Sequence, residues 1–243
     1  MTNNLCQFSF SIQDWKIITS KNLSLDDFTK LSHINFSERE DYKPKLSFLP
    51  PLKRRRLSKI TRLFFEAAWE LVDNNPNIPV VYASTKSEIN RSFSLWQDLL
   101  EEGIVSPTSF SLSVHNALIG QWSENRKIKQ EMTAITATAD NLEIALMEAY
   151  LMLNDGYQQV LVAICESQID EQFHPIYCDN LPFDYALVIL VTTGSDITLT
   201  LNSTPLSPPN PFDNSLTYVI NQYSDIHQWY SSSHKGQWIW QKN

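Results

Sequence analysis

Apolar and polar residues alternate through QFSFSIQDWKIIT, residues 7–19, and predict a first strand with one buried face. Ser24 stands before LDDFTKLSHI and predicts a short helix capped by its hydroxyl, with Asp26 and Asp27 in the favoured first turn. Three prolines within residues 43–51 predict a surface loop. Leu57, Ile60, Leu63, Phe64, Ala67, Ala68 and Leu71 recur at helical spacing, so residues 52–72 are expected to form one amphipathic helix. The turn NNPNIP leads into VVYAS, residues 80–84, a short apolar run of the kind buried in a parallel sheet. Residues 88–102 read as a helix ended by Gly103. Phe110, Val114, Ala117 and Leu118 mark another helix, with Gly120 at a point of close packing. Residues 131–137 have the β-branched content of a strand.

Asp140, with Glu143 three residues on, predicts a capping box for the next helix. That helix carries the stripe Leu142, Ala145, Leu146, Ala149, Met152 and Leu153, and Gly156 ends it. Residues 159–165 and 186–193 read as buried strands, and residues 196–202 are expected to pair with the second of them. The proline-rich connector 205–211 opens a tail, so the expected division is a domain of residues 1–204 and a tail of 205–243. The tail holds a weak helix around Leu216 to Tyr230 and three tryptophans, Trp229, Trp238 and Trp240, expected to pack back on the domain. Strand alternating with helix gives an α/β fold, a mixed sheet with helices on its faces.

Composition narrows this picture. The chain has 243 residues, 42% hydrophobic and 19% charged, enough for a sizeable core. A net charge of −8 argues against nucleic acid as the main partner. Cys6, Cys165 and Cys178 have no zinc spacing, and their odd count fits a reducing compartment. The N-terminus has no signal-peptide pattern and no apolar run is long enough to span a bilayer, so a soluble, cytoplasmic protein is expected. Six of the 19 basic residues fall in one run: Lys53, Arg54, Arg55, Arg56, Lys59 and Arg62. At the start of the expected helix these cations oppose the macrodipole. They are either a solvated helix face or a docking patch for an acidic partner.

The chemistry is notable for what it lacks. His33, His115, His174, His227 and His234 show no metal-ligand spacing, so neither a metal nor a cofactor is expected. Five scattered glycines make no phosphate loop, and there is no GxSxG elbow. Cys165 reads as a buried thiol, Cys178 lies in a loop without a base, and His115 reads as a packing residue. The strand, turn and helix at residues 131–154 would suit a nucleophile, because a helix N-terminus stabilises a thiolate or oxyanion. That turn offers only Thr136, Thr138, Ala139 and Asp140. Threonine needs an adjacent base, so acyl transfer or hydrolysis through Thr138, Asp140 or His115 stays open as an alternative.

LPPLKRRRLSKITR together with SPTSFSLSVHN resembles the short, stand-alone β-ketoacyl synthase N-terminal-like proteins, the chain length factors of aryl polyene gene clusters. The resemblance covers most of residues 45–195 and is faint outside them. It implies a thiolase-like half-fold and a heterodimer with a β-ketoacyl-ACP synthase. Glu131, Met132, Thr133, Ala134, Ile135, Thr136 and Ala137 would form the strand that pairs across the dimer interface. The family's catalytic cysteine position falls on Ala139, or on Thr138 with a one-residue slip, and its histidine-bearing half and glycine-rich loops are missing. The resemblance therefore implies a non-catalytic subunit. Val114 matches an acyl-pocket position, which makes Phe110, Val114 and His115 candidates for limiting chain length in polyketide or fatty acid synthesis. The basic run would suit an acidic acyl carrier protein or the ketosynthase surface. A homodimeric scaffold that binds carrier protein is a further alternative.

Overall fold

The computed structural model describes residues 4–173, 181–204, 208 and 210–243. His174, Cys178 and most of the connector 205–211 lie outside them. The chain opens with β1 (Asn4–Thr19) and α1 (Leu25–Thr29). Ser24 caps α1 as expected, in a full capping box with Asp27.

The helix expected over residues 52–72 is two helices, α2 (Pro51–Arg56) and α3 (Lys59–Leu71). Leu57 is extended, and the Ser58 hydroxyl accepts the Thr61 N–H to start α3 afresh. The run Lys53 to Arg56 therefore lies in the last turn of α2, where cations favour the dipole rather than oppose it.

Next come β2 (Val80–Ala83) and α4 (Ile89–Glu102), the latter closed by Gly103 in the left-handed region at φ +71°. The helix expected through residues 110–118 is also split, into α5 (Pro107–Ser111) and α6 (Ala117–Arg126), with Val114 in the link. Gly120 has open space where a Cβ would point, so the close approach expected there is absent from this chain. The strand expected at 131–137 is β3 (Met132–Ile135).

α7 (Asn141–Asn154) buries its predicted stripe, but the capping box of Asp140 and Glu143 does not form. Asp140 Oδ2 instead accepts from Ser233 Oγ at 2.7 Å and Trp238 Nε1 at 3.0 Å. Glu143, fully buried, accepts from Ser231 Oγ, Trp240 Nε1 and Asn214 Nδ2. Both carboxylates thus hold the tail, whose donors are spread over the far end of the chain.

β4 (Gln159–Glu166) follows, then β5 (Tyr185–Asn202), α8 (Asn214–Gln222), β6 (Gln228–Ser233) and β7 (Gly236–Lys242). Residues 186–193 and 196–202 do not pair with each other, because they are one 18-residue strand. β1 lines one edge of β5 along its length, while β4 and β7 share the other edge. The sheet order is β3-β2-β4-β5-β7-β6, with β2 parallel to both β3 and β4. Sequence pattern explains the two cores. Val160, Val162 and Ile164 of β4 face α7 and the tail, whereas Leu161, Ala163 and Cys165 face α3 and α6. A strand covered on both faces is apolar throughout, which is how β4 and β5 read. Trp238 and Trp240 are fully buried in the first of these cores, and Trp229 lies beside them.

Candidate functional site at the carboxyl ends of the parallel strands

β2, β3 and β4 run parallel, so Ala83, Ile135 and Glu166 end at one edge, the usual place for ligands in an α/β sheet. The turn from β3 to α7 lies there. Thr138 adopts φ +51°, a left-handed conformation that a β-branched residue rarely accepts. Polar neighbours hold it. The Ala137 N–H donates to Asn141 Oδ1 at 2.6 Å, and Thr85 Oγ1 donates to the Thr138 carbonyl at 3.3 Å. Asn141 Nδ2 and the Thr85 N–H both donate to Glu166 Oε1, at 3.1 and 2.6 Å.

Thr85, Asn141 and Glu166 were not among the residues predicted from sequence. The available signal was Glu166 itself, a carboxylate ending an apolar strand. Burial is the main cause that pushes Glu166 up to about 7. Burial also raises the Cys165 thiol, which lies fully inside β4 and is correspondingly inert.

The predicted candidates separate. His115 Nε2 lies 3.0 Å from the Ile135 carbonyl and 3.4 Å from Thr136 Oγ1, and its ring packs on Tyr82. Donation to the Ile135 carbonyl requires the Nε2–H tautomer, so this imidazole is a clip that ties the α5–α6 link to β3. Asp140 faces the tail. Thr138, Asp140 and His115 share no hydrogen bond among the described residues.

Phe110 is 60% exposed and Val114 is 41% exposed. They accompany Trp96, Leu99 and Leu100 of α4 and Ile104 just beyond it, all exposed. Met132 to Ile135 form an edge strand, paired only to β2 among the described residues. A groove beside it is lined by His115, Ile119, Gly120, Met132 and Ala134.

The basic run divides too. Arg62 donates to the carbonyls of Arg54 and Leu57, closing α2, and Arg54 donates to the Lys45 carbonyl. Lys59 pairs with buried Asp184, and Lys53 approaches Glu124 at 3.9 Å. Arg55 and Arg56 remain exposed at the surface. No set of three or more His, Cys, Asp or Glu side chains among the described residues is placed to hold a metal. No helix among them is long and apolar enough to cross a membrane.

The sequence profile of the β-ketoacyl synthase N-terminal domain matches residues 30–241. The chain belongs to that family. The match runs through the tail, well past the span 45–195 over which the resemblance was legible. Among curated proteins, none matches. Among solved structures, this ketosynthase-family chain is similar to one in a ketosynthase complexed with its chain length factor from Xenorhabdus doucetiae. The TM-score is 0.84 at 24% identity, over 97% of this chain and 100% of that one. It is also similar to the ishigamide ketosynthase/chain length factor, at TM-score 0.60 and 13% identity over 79% of this chain and 66% of that chain. A type II polyketide synthase acyl-carrier protein in complex with its ketosynthase matches at TM-score 0.60 and 12% identity, over 80% of this chain and 68% of that chain. At these identities the likeness establishes the fold, a thiolase-like α/β architecture. The turn from β3 to α7 in this fold carries Thr138 and Ala139, with Thr138 in the left-handed region.

Proposed function

We propose that this chain is a non-catalytic subunit, similar to a chain length factor, that heterodimerises with a β-ketoacyl-ACP synthase. It would help set acyl chain length in aryl polyene or related polyketide and fatty acid synthesis. The observation that carries this reading is an edge strand together with a set of exposed apolar side chains among the described residues. β3 is an edge strand, paired only to β2 among the described residues, and α4 and α5 expose Trp96, Leu100 and Phe110. An exposed strand edge is a template for another chain, and a large apolar patch marks an interaction surface. The fold likeness to a chain in a ketosynthase–chain length factor complex supports the same reading. So does a turn that holds Ala139 where the family resemblance expects cysteine.

On this reading Phe110, Val114 and His115 stand where the partner's acyl cavity would meet this subunit. Arg55 and Arg56 supply the basic contact for the partner or for an acidic carrier protein. Co-expression with a β-ketoacyl-ACP synthase from the same source is the direct test. A stable heterodimer that loses activity when this chain is withheld supports the proposal. Two proteins that never co-purify, or condensation of acyl and malonyl units by this chain alone, would end it.

A further inference from the structure

Beside the turn from β3 to α7 lies a cavity of about 270 Å³, between the first turns of α7 and α8. One wall is apolar, built from Leu142, Ile164, Phe212 and Leu216. The other end holds Glu166 and Asp213. Asp213 is fully engaged. It caps α8 by accepting the Leu216 N–H at 2.9 Å, and it also accepts from the Ser215 N–H and the Tyr185 hydroxyl. Glu166 is not. Its Oε1 takes the Thr85 and Asn141 donors, while its buried Oε2 has no partner among the described residues. Buried acceptors are nearly always satisfied, so an orphan at the wall of a cavity points to something that enters it.

We propose that this cavity binds a small organic molecule with a hydrogen-bond donor, hydroxyl or ammonium, on a short apolar body. The donor meets Glu166 Oε2, and the body lies against Leu142, Ile164 and Leu216.

The charges facing Glu166 decide between the two donors. Lys86, from the segment after β2, holds it down. Asp213, at the cap of α8, pushes it up, and the Tyr185 hydroxyl of β5 interacts with both carboxyls. Burial outweighs the rest and leaves Glu166 at about 7. An ammonium ion needs the ionised carboxylate and competes with its proton, so its binding must weaken as pH falls through that value. A hydroxyl bonds to either form and is nearly indifferent to pH. The site does not depend on a ketosynthase partner, so its failure and that of the proposed function are separable.

The test is NMR titration of the whole chain with pentanol, pentylammonium and methyl pentyl ether, the last keeping the chain and losing the donor. The expected result is a shift of the Leu216 and Ile164 methyl signals by at least one donor probe, with the ether about tenfold weaker or more. Glu166→Gln, which removes the carboxylate and turns an N–H toward the ligand, should weaken pentylammonium, which has no acceptor, by a similar factor while the fold is kept. Pentylammonium binding that falls about tenfold between about pH 8 and pH 6 identifies a cationic ligand. Pentanol binding that stays flat over the same range identifies a neutral one. Ether binding equal to that of the donor probes overturns the proposal without any variant. So do pentylammonium binding that Glu166→Gln leaves unchanged and a wild type that none of the probes shifts.

Discussion

Glu143 and Glu166 are buried carboxyls raised from 4.5 to about 7, chiefly by burial. The folded chain then holds protons that the unfolded chain has released between those values. Stability is therefore highest below the unfolded pKa and declines as pH rises through about 7. Glu166→Gln removes one share of that decline without losing the Thr85 and Asn141 donors, since Oε1 alone accepts them. Relative to wild type, it should gain on the order of 2–3 kcal/mol between about pH 5 and pH 8 in urea unfolding. An identical pH slope in both proteins would show that Glu166 titrates normally. Val114→Phe tests the proposed chain-length role at the same scale. The heterodimer should make shorter products, because a filled apolar space cannot accept further methylenes cheaply. Unchanged products in an intact heterodimer would remove Val114 from that role. Residue-level reading succeeded at Ser24, whose cap partner Asp27 is three positions away. It failed at Asp140, whose donors Ser233 and Trp238 lie more than ninety positions on.

Among the elements, the break between α2 and α3 is the one that hydrophobic spacing concealed. Leu57 and Ile60 are both buried, so the apolar period runs on through a backbone that does not. Ser58 makes the break work twice over. It caps Thr61 and donates to buried Glu88 at 2.6 Å. Ser58→Ala should cost about 1–2 kcal/mol in denaturant unfolding. A loss near zero would mean that Leu57 packing alone sets the break. The β6–β7 hairpin has a sharper constraint. At Gly236, φ is +144° and a Cβ would lie 2.0 Å from the Asn202 carbonyl oxygen. Gly236→Ala should cost more than about 2 kcal/mol and unseat Trp238 and Trp240, visible as a red-shifted tryptophan emission. An unchanged emission and Tm would sink this. The hairpin was missed because HKGQWIW lacks long alternation. Its pairing with β5 comes from the sheet, not from local pattern.

For the whole molecule, the exposed apolar face sets the prediction. Trp96 and Leu100 lie four residues apart on one side of α4, 64% and 87% exposed. Replacing both by glutamate should leave the isolated chain within about 0.5 kcal/mol of wild type. It should also prevent co-purification with the ketosynthase. A complex that survives the double change would move the docking surface elsewhere. Arg55→Glu with Arg56→Glu is the matching test for carrier-protein or partner contact, read as a weaker complex at low salt.

The sequence by itself determined the alternation of strands and helices, the buried stripe of α7, and the apolar strands β4 and β5. These depend on period, cap and residue type within a few positions. Only the tertiary structure decided that residues 185–202 are one strand. The same holds for the tail, which closes the sheet through Asp140 and Glu143, and for Glu166, which meets a cavity with one oxygen unclaimed. Each of those rests on a partner brought from a distant part of the chain, and a linear pattern carries no record of such distances.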